Sequence, residues 1–394
     1  MISVAEAKKI ILENTDALSP VKCLLQEAAG KILAEDIFSA VDIPAFPQSA
    51  MDGYAFSFND WKQQQELIIN GEMAAGDYSS ETLQPGTAIR IFTGAPVPNG
   101  ADTVVMQEKV IVKDGKLMIE DDILEQGRNV RLKGSEIKTG EPALEKESIL
   151  SPAAIGFLAG IGVTEVMTIP NPVISIIITG KELQQPGKTL APGQVYESNS
   201  FSLTAVLKQL HFSNIKIYSA DDDLEILTGM LKEALEKSDL VLLTGGISVG
   251  DYDFVLKATE NCGVTKLFHR IKQRPGKPLF FGKKANKLVF GLPGNPSSVL
   301  TCFYEYVLTV LSLMTKRKIS LSSAPAPLAS SFSKKILLTQ FLKGHYNGEN
   351  VTILDAQESY RMSSFAKANC FVVLEEPMKE YAEGGAVEIH LLPA

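Results

Sequence analysis

The 394-residue chain has only four cysteines, Cys23, Cys262, Cys302 and Cys370, and no two of them form a Cys-x-x-Cys pair. Their scatter excludes a zinc ribbon and a disulfide-stapled scaffold, and it predicts free, buried thiols. A bilayer-spanning apolar run is also missing: the longest, around Val173–Ile178, has the length of a strand, so no membrane association is expected. The opening Met1–Asn14 is an acid-bearing amphipathic pattern without the basic region and unbroken apolar stretch of a secretory signal, so a reducing cytoplasm is the expected compartment. Positive charge is scarce too. A formal net charge of −8 argues against a generic nucleic-acid binder. With 45% hydrophobic residues the chain has enough apolar material for a sizeable core and two to four domains.

Periodicity organises what is present. Helical patterns cover Val4–Asn14 and Val21–Ala29, and a proline-stiffened passage follows over Val41–Pro47. Short β-like runs parted by Gly, Pro, Asn and Asp fill Phe56 to Ile119, as in a small all-β domain. Between Val173 and Met314 strand candidates (Val173–Thr179, Ile215–Ser219, Leu240–Thr244, Leu288–Leu292) alternate with helices marked by Leu203, Val206, Leu207, Leu210 and by Leu224, Leu227, Leu231, Leu235. Repeated βα units predict a parallel sheet with right-handed crossovers. Ser322–Pro327 reads as a linker, and short strands after it predict a closing β domain.

Chemistry concentrates at the strand ends. Leu240–Thr244 runs into Gly245-Gly246-Ile247-Ser248-Val249-Gly250, where glycines can take positive φ and bring backbone N–H groups to an anion before Asp253 opens a helix. An ordinary strand-to-helix turn with a capping Asp has the same pattern. Arg270, Lys272, Arg274 and Lys277 surround a Pro-Gly turn, Lys283, Lys284 and Lys287 follow, and no acid lies between His269 and Lys287. Such an unmixed run beside a glycine loop favours an anionic ligand. Gly291-Leu-Pro-Gly-Asn-Pro then breaks another buried strand before a helix from Ser297. Two strand ends and one cationic turn are expected to converge on one crevice, with Glu182 and Asp222 at the same edge. Asp222 could equally cap the next helix, Asp52 before Gly53 could be a turn residue, and Arg131, Lys133 and Glu136 could be a solvated edge.

Five motifs in one order, Ser49-Ala-Met-Asp-Gly-Tyr, Thr93-Gly-Ala-Pro-Val-Pro, Thr244-Gly-Gly-Ile-Ser-Val-Gly-Asp-Tyr-Asp, Arg274-Pro-Gly-Lys-Pro and Gly291-Leu-Pro-Gly-Asn-Pro, resemble the molybdopterin molybdenumtransferase family, which includes MoeA and the E domain of gephyrin. The resemblance implies a homodimer of four-domain subunits that inserts molybdate into adenylylated molybdopterin, with Mg²⁺-dependent release of AMP. It implies Asp52, Thr93, Glu182 and Asp253 as catalytic residues, and Glu182, Asp222 and Asp253 as Mg²⁺ candidates. Substrate contacts are implied for Arg131, Glu136, Gly245, Gly246, Ser248, Arg270, Arg274, Lys277, Pro278, Ser298 and Ser364, with Lys343 on the molybdate side. Asp52, Thr93, Arg131 and Glu136 are expected from the partner subunit, so that the active site is shared. The upstream adenylyltransferase and acceptor molybdoenzymes are further expected partners.

The expected architecture is multi-domain α/β plus β. A helical and extended region (1–50 with 136–170) is followed by an inserted small β domain (51–135), a three-layer α/β domain with a parallel-type sheet (171–318) and a C-terminal β domain (319–394). The chain departs from the family pattern at Glu136 (more often Asp), at Lys181 within a usually acidic Gly-Asp-Glu, at Arg270 and Arg274 (often Lys) and at Thr339-Gln-Phe-Leu-Lys343. Two other classes share part of these features: a non-catalytic dimeric scaffold of the gephyrin type, and a nucleotide-hydrolysing enzyme sharing only the α/β domain.

Overall fold

A computed structural model describes residues 1–220, 223–247 and 254–393. The chain divides into two compact units, Met1–Val21 with Ile169–Ala394, and Lys22–Thr168.

The first unit is built on a six-stranded sheet in the order Ile215–Ala220, Ile174–Thr179, Leu240–Thr244, Lys287–Leu292, Pro278–Lys284, Thr265–Arg270. All six residues of Ile174–Thr179 and all five of Leu240–Thr244 are buried, because successive side chains point to opposite faces and both faces are covered. Ile174, Ile176, Ile178, Leu240 and Leu242 pack with Leu203, Val206 and Leu207 on one face. Ile177, Val241 and Leu243 pack with Leu227, Leu231, Leu235 and Val255 on the other. Each such side chain removed from water contributes about 1.5–3 kcal/mol. The helix Val4–Asn14 joins the first face through Ala7 and Ile11, and it starts at a capping box in which Ser3 and Glu6 each bond the other's backbone N–H.

The sheet is not wholly parallel. Its first four strands pair in parallel, whereas Pro278–Lys284 pairs antiparallel with both Lys287–Leu292 and Thr265–Arg270. Lys287–Leu292 matches the strand expected at Leu288–Leu292, whereas Pro278–Lys284 and Thr265–Arg270 are not visible in the periodicity. The hairpin that joins Pro278–Lys284 to Lys287–Leu292 turns at Ala285-Asn286, with Ala285 at φ +52°, where a two-residue turn ordinarily signals itself by Asn-Gly.

Pro296–Thr315 is continuous helix interrupted by a π-helical segment, Phe303–Val307. By length and composition alone it could cross a membrane, yet 78% of its 18-residue apolar window is buried inside the protein. Its apolar surface serves the core.

A second sheet closes this unit, in the order Gln273–Arg274, Thr339–Tyr346, Cys370–Leu374, Ala386–Leu391, Ser322–Pro327. The segment expected to be a linker is thus its last strand, with Pro325 opposite Glu388 and Pro327 opposite Ala386. An edge position tolerates proline because no ladder donor is needed on its outer side.

The other unit contains a six-stranded sheet in the order Thr103–Met106, Gly53–Phe56, Thr87–Ile91, Glu66–Met73, Lys116–Ile119, Val110–Lys113. It also contains a three-stranded sheet of Val21–Leu24, Glu165–Ile169 and Ile32–Leu33. The helix expected over Val21–Ala29 is instead a strand followed by a single 3₁₀ turn, Leu25–Glu27. Pairing with Glu165–Ile169, and burial of Cys23 alone among its neighbours in the strand, override the local helical propensity. All four cysteines are free and buried.

Candidate active site

A cavity of about 1260 Å³ opens at the carboxyl ends of the parallel strands. Its floor comes from Thr179–Glu182 and Gly245–Ile247, one side from Arg274–Pro278, and another from Pro293–Asn295 with Pro296 and Ser298. Backbone approach is what the glycines provide. Gly245 sits at φ +86°, and a Cβ there would lie 2.5 Å from Thr179 O; one on Gly294 would stand 3.7 Å from Gly245 Cα. The two strand-end loops therefore meet across the floor, and the helix that begins at Pro296 directs its N-terminus to the same place.

The cationic run is divided by the fold. Arg274 and Lys277 line the cavity. Lys272 pairs with Glu376 at 3.6 Å, Lys283 with Asp16 at 3.1 Å and Lys287 with Asp239 at 3.2 Å. Pro278–Lys284 runs away from the cavity, so the cations at its far end serve other parts of the unit. Beneath the turn lies Gln273, fully buried, whose Nε2 donates to Pro275 O and Gly276 O, both at 3.1 Å. Tyr306 OH donates in turn to Gln273 Oε1.

Of the residues named from sequence, Glu182, Gly245, Gly246, Arg274, Lys277, Pro278 and Ser298 line this cavity. Arg270 is an exposed strand-end residue outside the lining. Ser364 is also outside it; its Oγ donates to Ala356 O at 2.7 Å. Ser248, Asp222 and Asp253 lie outside the described residues. Among the described residues no group of three or more His, Cys, Asp or Glu side chains is arranged to hold a metal.

Two contributors escaped sequence reasoning. Tyr196–Asn199 line one side, and Asn199 donates from Nδ2 to Gly294 O at 2.9 Å while its buried Oδ1 has no partner among the described atoms. An unpartnered buried acceptor is suited to an N–H donor on a ligand. The Glu197-Ser198-Asn199-Ser200 stretch carried a helix-start signal, which could have marked it as a strand-end loop. Gln357–Tyr360, from the C-terminal β region, form another wall, and nothing in that polar stretch distinguishes it from a surface loop.

Asp52, Thr93, Arg131 and Glu136 belong to the other unit. Asp52 Oδ1 accepts from Thr93 N at 2.8 Å and from Thr93 Oγ1 at 2.7 Å. The Thr93 backbone bond, then the hydroxyl bond, with the charge of Arg90 adding to them, hold the Asp52 carboxyl below its usual range. Arg131 and Glu136 line a separate recess of about 490 Å³ with Ile43–Phe46, Gln48 and Ser135.

Three family models match successive parts of the chain: the MoeA N-terminal region (domains I and II) over residues 2–162, a probable molybdopterin binding domain over 175–312, and the MoeA C-terminal region (domain IV) over 325–392. A Haemophilus influenzae protein named molybdopterin molybdenumtransferase is 34% identical over 405 residues, covering 100% of both chains. The chain belongs to the molybdopterin molybdenumtransferase (MoeA) family. A Staphylococcus aureus molybdopterin molybdenumtransferase is 32% identical over 401 residues, covering 99% of this chain and 95% of its own. Two solved structures of the molybdopterin biosynthesis MoeA protein of Pyrococcus horikoshii, 29% identical and covered over 100% of both chains, superpose with TM-scores of 0.85 and 0.76. As a molybdopterin molybdenumtransferase family member the chain is an enzyme. Similarity running its whole length disfavours the hydrolase that would share only the α/β domain, and relatives named molybdopterin molybdenumtransferase disfavour the non-catalytic scaffold.

Proposed function

We propose that this enzyme binds adenylylated molybdopterin in the 1260 Å³ cavity, inserts molybdate into the dithiolene and releases AMP. The observation that carries this reading is the convergence of Arg274, Lys277, two glycine loops and a helix N-terminus on one cavity. A phosphoanhydride and a tetrahedral oxyanion both need charge-assisted donors, and Arg offers two in one plane where Lys offers a point charge. Arg274 and Lys277 hold the anionic groups, backbone N–H groups at Gly245–Gly246 and that of Ser298 at the helix start complete the cradle, and Asn199 Oδ1 accepts from a heterocyclic N–H. No nucleophilic Ser or Cys is needed.

Mg²⁺ is part of this proposal. It usually retains waters and takes one or two carboxylates together with substrate phosphates, which Glu182 in the cavity lining fits, Glu197 being bonded by Ser200 and Glu358 paired with Arg361; Asp222 and Asp253 are the other candidate ligands. When bound it offsets phosphate charge and aligns the leaving AMP.

The same proposal includes a cytoplasmic homodimer whose second subunit supplies Asp52, Thr93, Arg131 and Glu136, with substrate arriving from an adenylyltransferase and product leaving to molybdoenzymes. Neither nucleic acid nor membrane takes part. Incubation with adenylylated molybdopterin, Mg²⁺ and molybdate tests the reaction: AMP and molybdenum cofactor should both appear, and their absence rejects it. Competition at limiting oxyanion decides between molybdate and tungstate.

A further inference from the structure

Lys343, on the strand Thr339–Tyr346, is 2% exposed. Its ammonium donates to the carbonyls of Ala356 at 2.8 Å, Arg361 at 3.0 Å and Glu358 at 3.5 Å. An ammonium has three N–H donors, and here three backbone oxygens take them. The main chain of Lys343 is tied to the same loop: its N–H donates to Gln357 Oε1 at 3.0 Å, and its carbonyl accepts from Gln357 Nε2 at 2.8 Å and from Leu354 N at 3.0 Å. Ser364 Oγ adds a bond to Ala356 O.

That loop needs such support. Ala356 stands at φ +58°, a conformation uncommon for a residue with a side chain. On its other side the loop reaches the helix start, where Ser359 O accepts from Ser297 N at 3.1 Å and Ser359 Oγ accepts from Asn295 Nδ2 at 2.8 Å. Gln357–Tyr360, held by both sets of bonds, wall the cavity.

We infer that Lys343 is a positioning residue: it holds the Ala356–Arg361 loop from within, so that Gln357–Tyr360 present a fixed wall to the substrate, and it does not itself contact the oxyanion. This corrects the molybdate-side role expected from sequence for Lys343 and, through the shared carbonyl of Ala356, for Ser364. It rests on the reading of the cavity as the substrate site.

Full-length Lys343→Met keeps the aliphatic length and removes the donors. Amide hydrogen exchange over residues 354–361 should accelerate about 10-fold or more. The KM for adenylylated molybdopterin should rise about 10-fold while kcat changes by less than about 3-fold. Lys343→Arg should recover part of both. Exchange at the wild-type rate, or a raised molybdate requirement with wild-type loop exchange, overturns the inference in favour of direct contact. Arg274→Ala separates the underlying reading: an unchanged substrate KM there discards the cavity as the site. A raised KM in Arg274→Ala beside an unchanged KM in Lys343→Met discards the positioning role alone. If Lys343→Met does not fold, Ser364→Ala, which removes one of the bonds to Ala356 O, must show the same two shifts at smaller size.

Discussion

Tyr306 and Gln273, both fully buried, are joined by a hydrogen bond from the phenol to the amide oxygen, directly beneath the turn that carries Arg274 and Lys277. The phenol is a very weak acid here because burial disfavours its anion, with nearby Cys302 and Glu305 adding to the effect. It therefore acts as a donor. Tyr306→Phe leaves a buried amide oxygen without its partner, which costs about 1–3 kcal/mol. The urea midpoint should fall accordingly, and the KM for the anionic substrate should rise as the turn loosens. A midpoint and KM equal to wild type would show that the bond contributes nothing.

Arg274→Ala removes a charge-assisted contact of about 1.5–3 kcal/mol, equivalent to a roughly 12- to 150-fold loss of apparent affinity. The molybdate concentration for half-maximal turnover should rise within that range, with circular dichroism unchanged because the side chain is exposed. Unaltered molybdate dependence places the oxyanion elsewhere.

His390 Nδ1 lies 2.7 Å from Glu305 Oε1, Lys8 Nζ donates to Glu305 Oε2 at 2.8 Å, and Glu388 Oε1 is 3.2 Å from His390 Nε2. Burial disfavours the imidazolium, but the bond and charge of Glu305 outweigh it, so His390 titrates above its ordinary 6.5. Burial also opposes the Glu305 carboxylate and is outweighed by His390 and Lys8, so Glu305 titrates below its ordinary 4.5. A raised histidine contributes stability that is full below pH 6.5 and lost as pH rises through the folded value. A depressed carboxyl contributes stability present above 4.5 and lost as pH falls through its folded value. The melting temperature should therefore decline on both sides, and His390→Gln should flatten the decline on the alkaline side. An identical pH profile in the variant refutes the pairing.

Shared active sites have a numerical signature. If Asp52 completes a site built around Lys277 of the partner subunit, Asp52→Ala and Lys277→Ala should each be inactive, yet co-expression should restore about a quarter of all sites, since about half of the dimers are mixed and each of these has one intact site. Tag-selected mixed dimers as inactive as the single variants exclude the arrangement.

Elements with one dominant signal were legible. Leu240–Thr244 and Cys370–Leu374 have the bounds that their apolar runs indicate, and the glycine loop, the Arg274 turn and the Gly-Leu-Pro-Gly-Asn-Pro loop converge as expected. What was illegible depends on distant partners. Val21–Leu24 is composed like a helix until Glu165–Ile169 pairs with it, and Ser322–Pro327 is composed like a linker until its edge position makes its prolines harmless. Lys343 has the charge of a ligand residue, and only the carbonyls around it reveal an internal tie. The 357–360 wall arrives from a loop that follows Val351–Ile353 of the second sheet, so no local pattern could place it.

The chain enters residues 22–168 along Val21–Leu24 and leaves them along Glu165–Ile169, which are hydrogen-bonded neighbours in one sheet. Entry and exit therefore lie side by side, as they do in a cassette spliced into a host fold. The host, with the cavity and both ends of the chain, keeps a continuous core of its own. Changes of length in the outer loops of the 147-residue piece (22 to 168) therefore leave the host's core untouched, because its two adjoining strands fix the separation that the host must bridge.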